Sequence, residues 1–140
     1  MKQKNKELLF KDLSARLPYH VRVNIWLKDG TTEEGTLDLE HNYADVLLDA
    51  FYYNKIKDIK PYLRPMSSMT DDERKEYNSF IGGIEPFNSD FSAYSKENKF
   101  VYEFDIKNYI DWLNAHNFDY RGLIEKGLAL EAPKGMYNIK

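Results

Sequence analysis

Leu9, Leu13 and Leu17 recur every fourth residue with Phe10 and Ala15 beside them, which gives one helical face an apolar stripe. The helix is expected to stop before Pro18, because a proline disfavours the helical conformation of the residue preceding it. The rhythm then shortens to two. Val21, Val23, Ile25 and Leu27 alternate with Arg22, Asn24, Trp26 and Lys28, the pattern of a half-buried strand. Asp29-Gly30 follows, a hairpin signal because both residue types tolerate positive φ. The return strand is placed over 34–40, with Leu37 and Leu39 inward and Thr36, Asp38 and Glu40 outward. His41 to Ala44 reads as a turn. Residues 45–53 read as a third strand: Val46, Leu48, Ala50 and Tyr52 on one face, Leu47, Phe51 and Tyr53 with Asp49 on the other, so it is covered on both sides. Residues 56–63 can form a fourth, which Pro61, lacking a backbone donor, confines to an edge or a strand end.

Past Pro65 the pattern turns helical. Thr70-Asp71-Asp72-Glu73 is a capping box, in which the Thr70 hydroxyl accepts the Glu73 amide and the Glu73 side chain reaches back. Acidic residues in the first turn also suit the helix dipole. The predicted helix spans 70–81, buries Tyr77, Phe80 and Ile81, and stops at Gly82-Gly83. In residues 82–100 Gly, Pro, Ser and Asn separate Phe87, Phe91 and Tyr94, and a mobile loop is expected. A helix over 105–116 is capped by Asp105, with Ile106, Tyr109, Ile110 and Leu113 as its stripe, and Phe104 stapling Tyr109. Another over 119–127 is capped by Asp119, stapled by Phe118 onto Leu123, and stopped by Gly127. Residues 128–131 can form a short last strand, and 133–140 read as a frayed tail. The expectation is one α+β domain over 1–140: a small antiparallel β-sheet or SH3-like open barrel over residues 21–63, flanked by an N-terminal helix and C-terminal helices.

Composition narrows the chemistry. The 140 residues include no cysteine, which removes disulfides, thiolate metal sites and a cysteine nucleophile. No apolar run approaches the roughly 20 residues of a membrane span, and the charged first residues do not resemble a secretory signal. A soluble cytoplasmic domain is expected. Eleven Tyr, eight Phe and two Trp supply a core and argue against disorder. The net charge of −3 hides segments. Residues 1–28 carry seven basic and two acidic side chains, residues 29–54 seven acidic and no Lys or Arg, and residues 55–66 four basic and one acidic. Either these segments are neighbouring strands whose charges pair, or a basic face for nucleic acid lies beside an acidic face for a cationic partner. The acidic overall balance favours pairing.

Motifs add little. His20, His41 and His116 are far apart, and the Asp38, Glu40, His41 and Asp45 group is what a turn collects for solvation. No metal or other cofactor is expected. Ser67, Ser68 and Thr70 read as turn and cap residues, and Glu33-Glu34 and Asp71-Asp72 as solvated pairs with nothing to separate their pKa values. No catalytic residue is assigned. Arg22, Asn24, Trp26 and Lys28 share the outward face of one strand, with Lys55, Lys57, Lys60 and Arg64 able to extend it. A Trp among cations can stack a base while the cations contact phosphate. Against this, Trp26 can lie buried beneath the 106–115 helix, and burial is favoured.

Three blocks, Lys11-Asp12-Leu13-Ser14-Ala15-Arg16-Leu17-Pro18-Tyr19, residues 59–70 (IKPYLRPMSSMT), and Asp111-Trp112-Leu113-Asn114 followed by residues 118–130 (FDYRGLIEKGLAL), resemble a family of small uncharacterised proteins abundant in genomes, prophages and phages of gut Bacteroidales. That family has no established activity, so no functional residues carry over. The resemblance implies a cytoplasmic accessory protein of phage or mobile-element origin, a kind that binds host factors, nucleic acid or signalling nucleotides. The leading expectation is therefore a non-enzymatic protein-interaction module for a host or phage protein, using the acidic strand faces and the Phe87, Phe91 and Tyr94 loop. The second is a nucleic-acid-binding accessory protein using Arg22, Asn24, Trp26, Lys28 and Lys57. The third is an anti-defence protein that sequesters a nucleotide signal beneath the aromatic loop. An exposed edge near Pro61 leaves a homodimer open.

Overall fold

The computed structural model describes residues 2–38, 43–80 and 108–137. The expected loop 82–100, with Phe87, Phe91 and Tyr94, lies outside these residues, as do Glu40, His41 and the start of the 105–116 helix.

Helix α1 (Gln3–Arg16) buries Leu9, Leu13, Asp12 and Arg16, and Pro18 follows in a short 3-10 turn over Leu17–Tyr19. Strand β1 (Val21–Leu27) and strand β2 (Thr32–Leu37) form the expected hairpin, in register from Val21↔Leu37 to Trp26↔Thr32. Its turn is closed by Asp29, whose Oδ1 accepts both the Thr31 amide (2.9 Å) and the Thr31 hydroxyl (2.6 Å). Gly30 supplies the left-handed residue at φ 92°, which costs a glycine nothing. The return strand begins two residues earlier than expected.

Residues 45–53 are not a strand. Helix α2 spans Tyr43–Phe51. A run of apolar residues does not reveal its period: Val46, Leu47, Ala50 and Phe51 fit one face of a helix as well as two faces of a covered strand. Burial separates the two, because Leu47 is 5% exposed and its neighbour Leu48 is 41% exposed, whereas a strand covered on both sides would bury both. The helix ends at Phe51; Asn54, three residues on, is in the left-handed region (φ 53°), and the Lys55 amide closes back on the Asp49 carbonyl at 2.8 Å.

Strand β3 (Ile56–Leu63) pairs antiparallel with β1 from Leu27↔Ile56 to Val23↔Pro61, with a register shift between Trp26 and Leu27. Strand β4 (Leu130–Glu131) runs parallel to β3 at Tyr62 and Leu63. The order is β2-β1-β3-β4, an open mixed sheet in an α+β fold. Contrary to the expected exposed edge near Pro61, β3 lies between β1 and β4 and Pro61 is buried within it; the pairing with β1 ends at this residue, which has no amide to donate. Beyond it the strands part, and the phenol of Tyr137 bridges them: the Arg22 amide donates to its oxygen (2.9 Å) and its hydroxyl donates to the Tyr62 carbonyl (2.7 Å). Burial pushes the Tyr137 hydroxyl up to about 12. In the tail expected to fray over 133–140, Tyr137 is thus docked, while 133–135 are exposed and 138–140 lie outside the described residues.

Helix α3 (Asp71–Phe80) starts at the expected box, with Glu73 N–H donating to Thr70 Oγ1 (3.1 Å) and Thr70 N–H to Glu73 Oε1 (3.0 Å). Residues 108–115 form helix α4. The helix expected over 119–127 is a series of turns instead. Asp119 does cap it, but its carboxylate takes the amides of Leu123 (2.8 Å) and Ile124 (3.0 Å), beyond the reach of an ordinary N-cap. Gly122, left-handed at φ 73°, interrupts the helical path, and Gly127 at φ 73° ends the segment as expected. One core joins α1, the inner sheet face, Leu47, Leu123 and Leu128; a second joins Met69, Tyr77, Tyr109, Trp112, Leu113 and Phe118.

Candidate functional site

Alternation along β1 places Arg22, Asn24 and Trp26 on the outer sheet face, all half-buried. Trp26 is not in either core. Lys60 Nζ lies 5.6 Å from its ring centre, so the expected burial under the 106–115 helix is replaced by a lysine cover. The pairing brings Asn24 opposite Glu34 and Lys60, and Trp26 opposite Asp58. Arg22 approaches Glu34 at 3.8 Å, and Tyr62 donates to the same carboxylate at 2.8 Å. The outer face therefore alternates signs: Arg22 and Lys60 against Glu34 and Asp58. Lys28 is exposed beyond the strand end, and Lys57 has no register partner because the pairing skips it. The structure joins three of the five residues proposed for nucleic acid and interleaves them with carboxylates.

Two buried ion networks were not legible as sites. Arg16 donates to both oxygens of Asp12 (2.8 and 3.1 Å) and to the Phe118 carbonyl (2.7 Å), while Arg121 reaches Asp12 Oδ1 at 2.7 Å. Arg64 holds Glu73 in a two-pronged pair at 2.7 and 2.6 Å and lies 4.2 Å from the Phe118 ring centre. Burial alone would raise the Glu73 carboxyl; the hydrogen bonds from Arg64 and the Thr70 amide, with the Arg64 charge, outweigh it and bring it to about 2. The i, i+4 spacing of Asp12 and Arg16 was a usable signal; nothing local links Arg64 to Glu73.

Two surfaces remain open to chemistry. On the first, α1, α2 and the turn after α2 present Phe10 (45% exposed), Leu48 (41%), Tyr52 (75%) and Tyr53 (55%). These are the exposed large apolar side chains among the described residues, and they lie on α1, on α2 and in the turn just after α2. Phe10 meets Phe51 edge-on at 5.4 Å, Tyr52 meets Tyr53 at 4.9 Å, and Lys55 Nζ sits 5.5 Å from the Tyr53 ring. A shallow groove of about 310 Å³ runs between Lys6, Phe10, Leu47, Leu48 and Tyr52. With side chains of roughly 150–250 Å² each, the exposed part amounts to on the order of 400 Å², comparable to the largest apolar patch of a typical soluble monomer, which is often a functional one.

The second is a polar cavity of about 460 Å³ lined by Tyr19, His20, Asp72, Glu76, His116 and Tyr137, among others. His20 holds a left-handed conformation (φ 62°) and faces Asp38 at 3.4 Å. Burial and then the Asp111 charge raise the Tyr19 hydroxyl. Among the described residues no group of three His, Asp or Glu side chains is placed to hold a metal, and no helix is long and apolar enough to cross a membrane. Comparison with known proteins finds no matching family model, no similar curated protein and no similar solved structure.

Proposed function

We propose that the chain is a non-enzymatic protein-interaction module, a cytoplasmic accessory protein of phage or mobile-element origin that docks a host or phage protein on its α1–α2 face. One observation carries this reading: Phe10 on α1, Leu48 on α2, and Tyr52 and Tyr53 in the turn that follows α2 are held exposed, while Leu9, Leu13 and Leu47 of the same helices fill the core. A solvent-exposed aromatic cluster gains most of its favourable free energy only when a partner covers it. The groove beside Phe10 offers a recess for an apolar anchor, and Lys6, Glu7 and Lys55 supply a polar rim. The nucleic-acid reading is less supported, because the cations of the outer sheet face stand beside Glu34 and Asp58.

The test compares the wild-type chain with a Phe10→Glu/Tyr52→Glu variant as baits in lysate. The captured protein is then purified and titrated against each. A carboxylate buried in the contact should weaken binding at least about 30-fold while the melting temperature stays within a few degrees. Equal affinity for both baits, or no partner captured by either, overturns the reading.

A further inference from the structure

We propose that in the free protein the α1–α2 face is covered by the same face of a second copy, about a two-fold axis running along α1, and that a foreign partner takes the place of that copy. The proposal rests on the reading of this face as an interaction surface and adds what occupies it first. The charges point to the occupant. Gln3 and Phe10, seven residues apart, form the centre line of α1 on this side, with Lys6 on one flank and Glu7 on the other. On α2 the exposed Asp45 lies three residues before Leu48, on the same helix face. Lys55 lies against the Tyr53 ring. Two cations and two carboxylates thus border one apolar patch. A strongly acidic or strongly basic surface would meet like charge at half of this border, whereas a surface carrying the same mixture can pair with all of it.

Symmetry then fixes the arrangement. In a two-fold contact each residue that touches a second is touched by it in return. An axis along α1 exchanges the two flanks of the helix, so Lys6 of one copy faces Glu7 of the other at nearly the same height, twice, and Phe10 faces Phe10 across the axis. An axis perpendicular to α1 leaves each flank on its own side and sets Lys6 beside Lys6 and Glu7 beside Glu7. Opposite charges favour the first. The area is sufficient: the exposed apolar part is on the order of 400 Å² and the polar border roughly doubles it, which reaches the ~800 Å² that each side of a standard interface contributes. Each copy also offers the recess beside Phe10 and, at its border, the ring of Tyr52, 75% exposed, so knob and hole are both present twice. An interface of this size whose charge pairs are exposed should hold a reversible dimer, with a Kd of about 1–100 μM.

Sedimentation equilibrium of the full chain from about 1 to about 500 μM, at about 150 mM salt, tests this. A monomer–dimer equilibrium is expected. Lys6→Glu and Glu7→Lys each set like charges opposite one another at both symmetry-related contacts, and each should raise the Kd at least about fivefold while the melting temperature stays within a few degrees. An equimolar mixture of these two variants sets two acidic flanks against two basic ones, and should return to within about threefold of the wild-type Kd. Phe10→Glu/Tyr52→Glu should be monomeric throughout. A wild-type chain that stays monomeric up to about 500 μM, an unchanged Kd in either single variant, a mixture no tighter than its components, or a dimer that survives Phe10→Glu/Tyr52→Glu would each overturn the proposal. A monomeric chain that still captures a foreign protein would leave the docking reading standing without it. A dimer that captures nothing would leave the second copy as the occupant of the face.

Discussion

Glu73 should make this protein acid-sensitive in a way that one substitution isolates. Its carboxyl titrates near 2 in the folded chain against an ordinary 4.5. A depressed folded value stabilises the fold fully above the unfolded value, and that contribution is lost as pH falls from about 4.5 toward 2. At 1.36 kcal/mol per pH unit of difference the full effect is about 3 kcal/mol; water in the adjoining cavity screens the pair, which brings the expected figure to about 2 kcal/mol. Glu73→Gln keeps a side chain able to complete the capping box with Thr70 but leaves Arg64 buried without a counter-charge, a loss of about 3–5 kcal/mol at neutral pH. The protonated Glu73 side chain and the glutamine that replaces it are nearly isosteric, so the stability gap between the two proteins should shrink by about 2 kcal/mol between pH 7 and pH 2.5. Urea unfolding of both at pH 7, 4 and 2.5 measures the gap directly, and the other carboxylates cancel in the difference. A gap constant within about 0.5 kcal/mol across that range would show that the ionised pair does not hold α3 to β3.

Other substitutions probe separate parts of the fold. Tyr137→Phe strands the Arg22 amide and the Tyr62 carbonyl, and should lower unfolding free energy by about 1–3 kcal/mol in urea melts; no change would mean that the strands close without the phenol. Leu47→Ala should cost about 2–5 kcal/mol and Leu48→Ala under about 1 kcal/mol, and equal losses would restore a strand over 45–53. Gly127→Ala meets no atom within 4 Å, so its cost is the left-handed backbone alone, about 1 kcal/mol by thermal melting. Single-stranded DNA at about 150 mM salt should not be retained in gel-shift or filter assays, and salt-sensitive binding abolished by Arg22→Glu would move the function to the outer sheet face.

What could be read from the sequence was written in short range. The α1 stripe, the Asp29-Gly30 hairpin, the Thr70–Glu73 box and the Gly127 stop each depend on residues within one turn of each other, and each formed as expected. The pairing of charged segments was legible too, since Arg22 and Glu34 lie on adjacent strands. The failures share a cause. Residues 45–53 carry apolar side chains at so many positions that period two and period 3.6 both fit, and only the neighbouring α1 decides which face is covered. Likewise Asp119 promised a helix through its cap, and Gly122 diverted it. Tyr137 is 115 residues from one bonding partner and 75 from the other, and no local pattern announces a phenol that finishes a ladder. The candidate sites fared likewise: Arg22, Asn24 and Trp26 do share one face, whereas the α1–α2 aromatics were hidden by the misread strand.

The two cores are not independent, because Phe118 belongs to both networks that bound them. Arg16 from α1 bonds its carbonyl, Arg64 after β3 covers its ring, and the Arg64 amide and carbonyl pair with Asn117 and Asp119 on either side of it. Truncating Phe118 therefore opens the second core and also removes the surface on which Arg64 is desolvated, so its effect should exceed the cavity cost alone. The same junction borders the polar cavity, since Arg64, Glu73, His116 and Asn117 all line it, with the Arg64 amide donating to the Asn117 carbonyl at 2.8 Å.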